Sequence, residues 1–210
     1  MIDEIIHYDN ALLRRELDRL PPEHRAAFAA ACAERLLPAY ARFARESGRG
    51  EPETLRRALT RLWDDVTGNP MSELELRASV KKCSALVPGE GAGPGTEWEP
   101  SANDAAEALV YALESRYKHG SQEAAWSAGC ANDALNRFVM FDESGSGVVV
   151  TANEEKLLRH PLVQAELARQ RRDLDELLDA RDVDVRQVAV RLRERAAVES
   201  AIFFGDVPHG

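Results

Sequence analysis

The chain has 210 residues, 44% of them hydrophobic and 30% charged, with a formal net charge of -9. That apolar share is too high for a disordered chain and suits one compact core. The excess of acid weighs against nucleic acid and anionic membrane surfaces as partners, because both are recognised through neutralisation of phosphate by Lys and Arg.

Three further features set the class. Met1-Ile2-Asp3-Glu4 carries acid where a secretory signal carries base, and no stretch reaches the ~18 uninterrupted apolar residues of a membrane span. Cys32, Cys83 and Cys130 are far apart, odd in number and without a Cys-x-x-Cys pair, so they read as free, buried, reduced thiols. A cytoplasmic protein is the expectation.

In chain order, Phe28, Cys32, Leu36, Tyr40 and Phe43 step by three or four, placing them on one side of a helix from about residue 22 to 46. Pro38 lies inside it and predicts a kink or break near Leu37, since proline lacks the backbone donor and clashes with the preceding turn. Gly48 and Gly50 end the segment. Pro52 opens a second helix with Leu55, Leu59, Leu62 and Val66 as its stripe, stopped by Gly68-Asn69-Pro70. A third, from about Ser72 to Leu86, presents Leu74, Val80, Cys83 and Val87 inward.

The run PGEGAGPGTEWEP over 88–100 reads as a long loop inserted in one domain, or as a boundary between two helical lobes. Ser101 with Asp104 has the pattern of a helix start, followed by Ala105, Leu109, Leu113 and Tyr117 on a buried side. After Gly120-Ser121 another helix carries Ala125, Ala128, Leu135, Phe138 and Val139. The alanines of both segments predict two backbones in close approach.

Residues 142–150 form a second loop, where Val148-Val149-Val150 leaves room for one very short strand. Thr151 with Glu154 reads as a capping box, and Pro161 as a restart. Leu167, Leu174 and Leu178 line the helix that follows, and Asp182 caps a last helix carrying Val185, Val188, Leu192 and Ala196. Phe203 and Phe204 are expected to dock on the body. The fold class is therefore all-α, a compact single-domain bundle spanning 1–210 with about seven or eight helices.

Chemical motifs fail on spacing. The glycines of 89–95 lack the strand and the Gly-Lys-Ser/Thr of phosphate-binding loops. Glu4-Ile5-Ile6-His7 has the Glu-x-x-His spacing of di-iron bundles but no second copy, so no metal or cofactor is expected. The other histidines, His24, His119, His160 and His209, sit beside prolines or glycines near helix ends and read as caps or solvated groups. The basic Arg169, Arg171 and Arg172 are followed by Asp173, Asp175 and Glu176 and read as a solvated face. Glu34, Arg35, Tyr40 and Trp63 fall close to core stripes, where charge can line a pocket, form a buried pair or flank the core with snorkelled stems.

The segment Arg25-Ala-Ala-Phe28 through Cys32, Glu34-Arg35, Pro38, Tyr40 and Phe43, then Gly48-x-Gly50, then Leu55-Arg-Arg-Ala-Leu59 up to Leu62-Trp63, resembles the bacterial YjaG-like family, a domain of unknown function. The likeness is strongest over 12–66 and looser through the Asp104 helix and 157–199. It implies an all-helical cytoplasmic protein and carries no catalytic residues across. The loop at 88–100, the Gly147-Val-Val-Val150 stretch and the Ala201-Ile202-Phe203-Phe204 ending depart from the family's pattern.

Two functions follow as expectations. The first is an interaction or regulatory module that meets a protein partner, or a second copy of itself, through a helix face or its acidic surface. The alternative is an enzyme or small-molecule binder whose inter-helix pocket is lined by Glu34, Arg35, Tyr40 and Trp63.

Overall fold

In the computed structural model the described residues are 5–89, 97–118, 120–144 and 154–200, with the backbone alone for 141–144. They hold nine helices: α1 (Asn10–Leu17), α2 (Pro22–Ser47), α3 (Pro52–Val66), α4 (Glu73–Ser84), α5 (Glu99–Ser115), α6 (Gln122–Ser144), α7 (Glu154–Leu158), α8 (Pro161–Asp179) and α9 (Arg186–Glu199). No strand occurs among the described residues, so the all-α reading stands.

Local chemistry explains most of the boundaries. Asp9 starts α1 by accepting from the Leu12 amide at 2.9 Å. Prolines occupy the first turns of α2, α3, α5 and α8, where a missing amide costs nothing. Ser72 and Glu75 close a reciprocal capping box on α4. Gly48 ends α2 in the left-handed region at φ +69°, and its amide reaches the Ala44 carbonyl.

The bundle is organised around α2, which packs against α3, α5, α6, α8 and α9. It is consequently buried all the way round from His24 to Tyr40. Alanines make this possible: Ala26, Ala27, Ala29, Ala30, Ala31 and Ala33 meet Ala105, Ala108 and Ala112 of α5 and Ala124, Ala128 and Ala131 of α6 in one sealed cluster. Short side chains let the three backbones approach, and the Ser127 hydroxyl on α6 lies 3.1 Å from the Ala29 carbonyl and 3.0 Å from that of Ala108. Bulk is supplied around this seam by Phe28, Tyr40, Phe43 and Trp63, all fully buried. A smaller cluster of Val139, Val163 and Leu167 closes the α6–α8 end.

Several sequence expectations are corrected. α1 was not anticipated, being short and mostly polar, with Leu17 as its buried anchor. α2 runs unbroken through Pro38. Leu74 is 79% exposed, and the inward residue of that turn is Leu76. Helix α5 opens at Glu99 without a side-chain cap, so Ser101 and Asp104 are buried residues inside it. Asp182 does not cap α9; Asp184 does the local work, accepting from the Arg186 amide at 3.0 Å. Asp142, Glu143 and Ser144 continue α6. The strand at 148–150, the cap at Thr151, most of the 88–100 loop and Phe203-Phe204 lie outside the described residues.

All three cysteines are free and buried. Burial pushes the Cys83 thiol up to about 11 and those of Cys32 and Cys130 higher still. No helix among the described residues is long and apolar enough to cross a membrane.

Candidate functional site

Glu34, Arg35, Tyr40 and Trp63 are all buried, but they part into three places. Glu34 turns towards α3, where its Oε2 accepts from the Trp63 indole nitrogen at 3.0 Å and its Oε1 is paired with Arg56. Arg35, its neighbour in sequence, turns towards α8. Tyr40 donates from its hydroxyl to the Leu86 carbonyl at 2.8 Å, beyond the end of α4. Only Glu34 and Trp63 are brought together. Each of the four has its polar atoms engaged by a neighbour, as a sealed polar group requires.

Around Arg35 the packing of α2, α8 and α9 gathers a buried ion network. Its guanidinium holds Glu166 Oε1 at 3.0 Å and Asp173 Oδ2 at 2.8 Å, with Glu199 at 3.7 Å and the Cys32 sulfur at 3.5 Å. Gln170 supports Glu166 from the same helix at 3.0 Å. Outside this layer, Arg172 reaches Asp173 and Glu199, and Arg195 reaches Asp173 and Glu176. Burial alone would push Asp173 up, but Arg35, Arg172 and Arg195 outweigh it and hold the carboxyl below its ordinary value.

This corrects the reading of residues 169–176 as a solvated face, because Asp173 is sealed while the arginines beside it stay wet. The missed signal was spacing. Glu166, Gln170 and Asp173 fall at the same helical offsets as Val163, Leu167, Leu174 and Leu177, so polar groups occupy positions on a buried stripe. His24 is likewise buried, with Nε2 at 3.1 Å from the Ala180 carbonyl. Glu4 lies outside the described residues, and His7 is exposed.

A cleft of about 450 Å³ opens between α3, α5 and α9. Asp65 forms its floor, accepting from the Met71 amide at 2.6 Å and from Arg116 at 2.5 Å. Gly68, at φ +114°, lets the Arg186 guanidinium lie against the backbone, where a Cβ would stand 2.9 Å from its Nε.

The outer face of the α5–α6 pair is different in kind. Trp126 is 44% exposed, and its ring packs on that of Tyr111 at 5.2 Å between centroids. Antiparallel packing sets acid at both ends of this aromatic pair. Glu114 and Glu123 lie towards the connecting turn and share Lys118, at 2.9 and 3.1 Å. Glu107, Asp133 and Asp104 lie towards the other end, where Asp104 is paired with Arg137. Glu107 and Asp133 hold no ion pair among the described residues, and Glu107 and Glu114 both act on the Tyr111 hydroxyl. This face is not legible from residue order, because an aromatic at an otherwise polar helix position is common and the pairing lies across two helices.

A crystal structure of a DUF416 family protein from Shewanella baltica OS155 matches this fold with a TM-score of 0.72 at 18% identity, covering 87% of this chain and 91% of the other. That likeness is one of fold. Among curated proteins nothing matches. The family model described as "Protein of unknown function (DUF416)" matches residues 13–201, and the chain belongs to that family.

Proposed function

We propose that this protein, as one of the YjaG-like proteins, is a cytoplasmic interaction or regulatory module that docks a partner protein on the outer α5–α6 face. The observation that carries this reading is the half-exposed Trp126 held against Tyr111. A tryptophan pre-positioned by a second ring loses little side-chain freedom on binding and is the residue type most often found at interface hot spots. The buried charges support it from the other side, since Glu34, Arg35 and Asp173 are bound to neighbours and serve to fix α2 against α3 and α8. The test is a crosslinked affinity isolation from the native host with wild type and Trp126→Ala side by side. A stoichiometric partner present with wild type and lost in the variant is the expected result; the same proteins captured by both would end this reading.

A second reading, a small-molecule binder, is favoured by the α3–α9 cleft with its Asp65 floor and its Arg116 and Arg186 walls. Native mass spectrometry of gently purified protein tests it. A bound small molecule, absent from Arg186→Ala, would support it, and a bare mass for wild type would count against it.

A further inference from the structure

Resting on the interaction reading above, we infer that the partner enters the α5–α6 face with a cationic side chain, so that the segment docked there is a basic stretch of protein anchored by Arg or Lys over the Trp126 indole. The argument is one of charge and ring geometry. The face of an indole is electron-rich and attracts a guanidinium or ammonium within about 6 Å of its centroid. This protein already uses that contact internally, with Arg42 over Trp98 at 4.1 Å and Arg77 over Tyr117 at 4.8 Å. Trp126 has its ring partner in Tyr111 and is half open to water, with no cation stacked on it among the described residues.

The surroundings select the sign of the visitor. The ridge carries Asp104, Glu107, Glu114, Glu123 and Asp133 against Lys118 and Arg137. Both cations are already committed, Lys118 to Glu114 and Glu123, and Arg137 to Asp104. Glu107, one turn from the ring pair, and Asp133, two turns from it, hold no ion pair among the described residues, and Asp133 shares only the field of Arg137, whose guanidinium is bound to Asp104. A basic segment lying along the ridge would put one side chain over the indole and flanking Lys or Arg against these two carboxylates. An acidic or purely apolar segment would meet repulsion or leave them uncompensated. The net charge of -9 adds long-range attraction for the same visitor.

The experiment is fluorescence anisotropy with a labelled arginine-rich peptide, a lysine-rich one and a glutamate-rich control, at low and physiological salt, on wild type, Trp126→Ala and Glu107→Gln/Asp133→Asn. Circular dichroism melts confirm that each variant is folded. Trp126 is exposed and the two carboxylates lie at the surface, so all variants should fold. The expected result is binding of both basic peptides, weakened on the order of ten-fold by Trp126→Ala at unchanged charge and by a similar factor in the charge-neutral pair. Equal affinity for wild type and Trp126→Ala, with salt alone controlling binding, would mean a diffuse acidic surface and would overturn the inference. Sedimentation of wild type alone guards against self-pairing, because a dimer dissolved by Trp126→Ala would make the occupant a second copy of this chain. The two levels separate cleanly. A host partner lost in Trp126→Ala but retained by Glu107→Gln/Asp133→Asn would keep the interaction reading and overturn the basic anchor.

Discussion

Arg35 and Asp173 meet at 2.8 Å across the contact between α2 and α8, both almost sealed from water, although 138 positions separate them in the sequence. With Glu166 on the same guanidinium, the pair fixes the register of α8 against the central helix. Removing one partner of a buried ion set leaves the others charged and unpaired, which costs more than the set contributes when intact.

The first prediction follows directly. Arg35→Met keeps much of the volume but takes away the sealed partner of Glu166 and Asp173, leaving Glu166 to Gln170 and the more distant Arg169 and leaving Asp173 to Arg172 and Arg195, and should destabilise the fold by about 2–4 kcal/mol. Adding Glu166→Gln and Asp173→Asn to the same chain should recover most of that loss. Urea unfolding of the single and triple variants measures both.

Acid stability should report on Asp173. Its folded-state carboxyl sits below the ordinary value, so its contribution is fully present above the unfolded value and is lost as pH falls through the folded one. Melting temperature against pH should therefore drop less steeply on the acid side in Asp173→Asn than in wild type, from a lower neutral plateau. An acid limb of unchanged slope would show that Asp173 is not held charged.

Asp104 should behave with the opposite sign. Burial pushes it up to about 6; the paired Arg137 opposes this, and Asp133 and Glu107 add to it. The folded state then prefers the protonated acid, and stability falls as pH rises from about 4 to about 6 before levelling. Asp104→Asn removes that decline while leaving an acceptor for Arg137. A gain on the order of 1 kcal/mol at neutral pH, vanishing near pH 4, is the expected outcome of thermal melts at the two values.

Gly50 offers a backbone test. Its φ is +85°, and a Cβ there would stand 2.8 Å from the Tyr40 hydroxyl that donates to Leu86. Gly50→Ala should cost about 1–3 kcal/mol through left-handed strain and displacement of that phenol. Gly48, at φ +69° with open space around it, is the control for strain without the clash.

The helices were legible wherever one face is apolar and the other wet, as in α3, whose Leu55, Leu59, Leu62 and Val66 are all buried. The reading thinned where that contrast fails. In α2 the stripe of Phe28, Cys32, Leu36, Tyr40 and Phe43 was visible, but alanines and charges around the rest of the helix are buried too, because neighbours surround it. In α4 an outward Leu74 imitates a core residue, since the sequence cannot say which side of a short helix α5 covers. Glu34 beside Trp63 was placed near a core stripe, yet its bond to the indole depends on how α2 crosses α3. Arg35 with Asp173, and Trp126 with Tyr111, are cross-helix relations, and such pairings appear only once the packing is known.

The central claim is that the outer α5–α6 face is the working surface, and amide hydrogen exchange of the whole chain with and without the arginine-rich peptide tests it most directly. Slowed exchange confined to the stretch from Glu107 to Asp133, and absent in Trp126→Ala, is what this account predicts. Protection centred instead on Asp65, Gly68 and Arg186 at the α3–α9 cleft, or the same protection in Trp126→Ala, would contradict it.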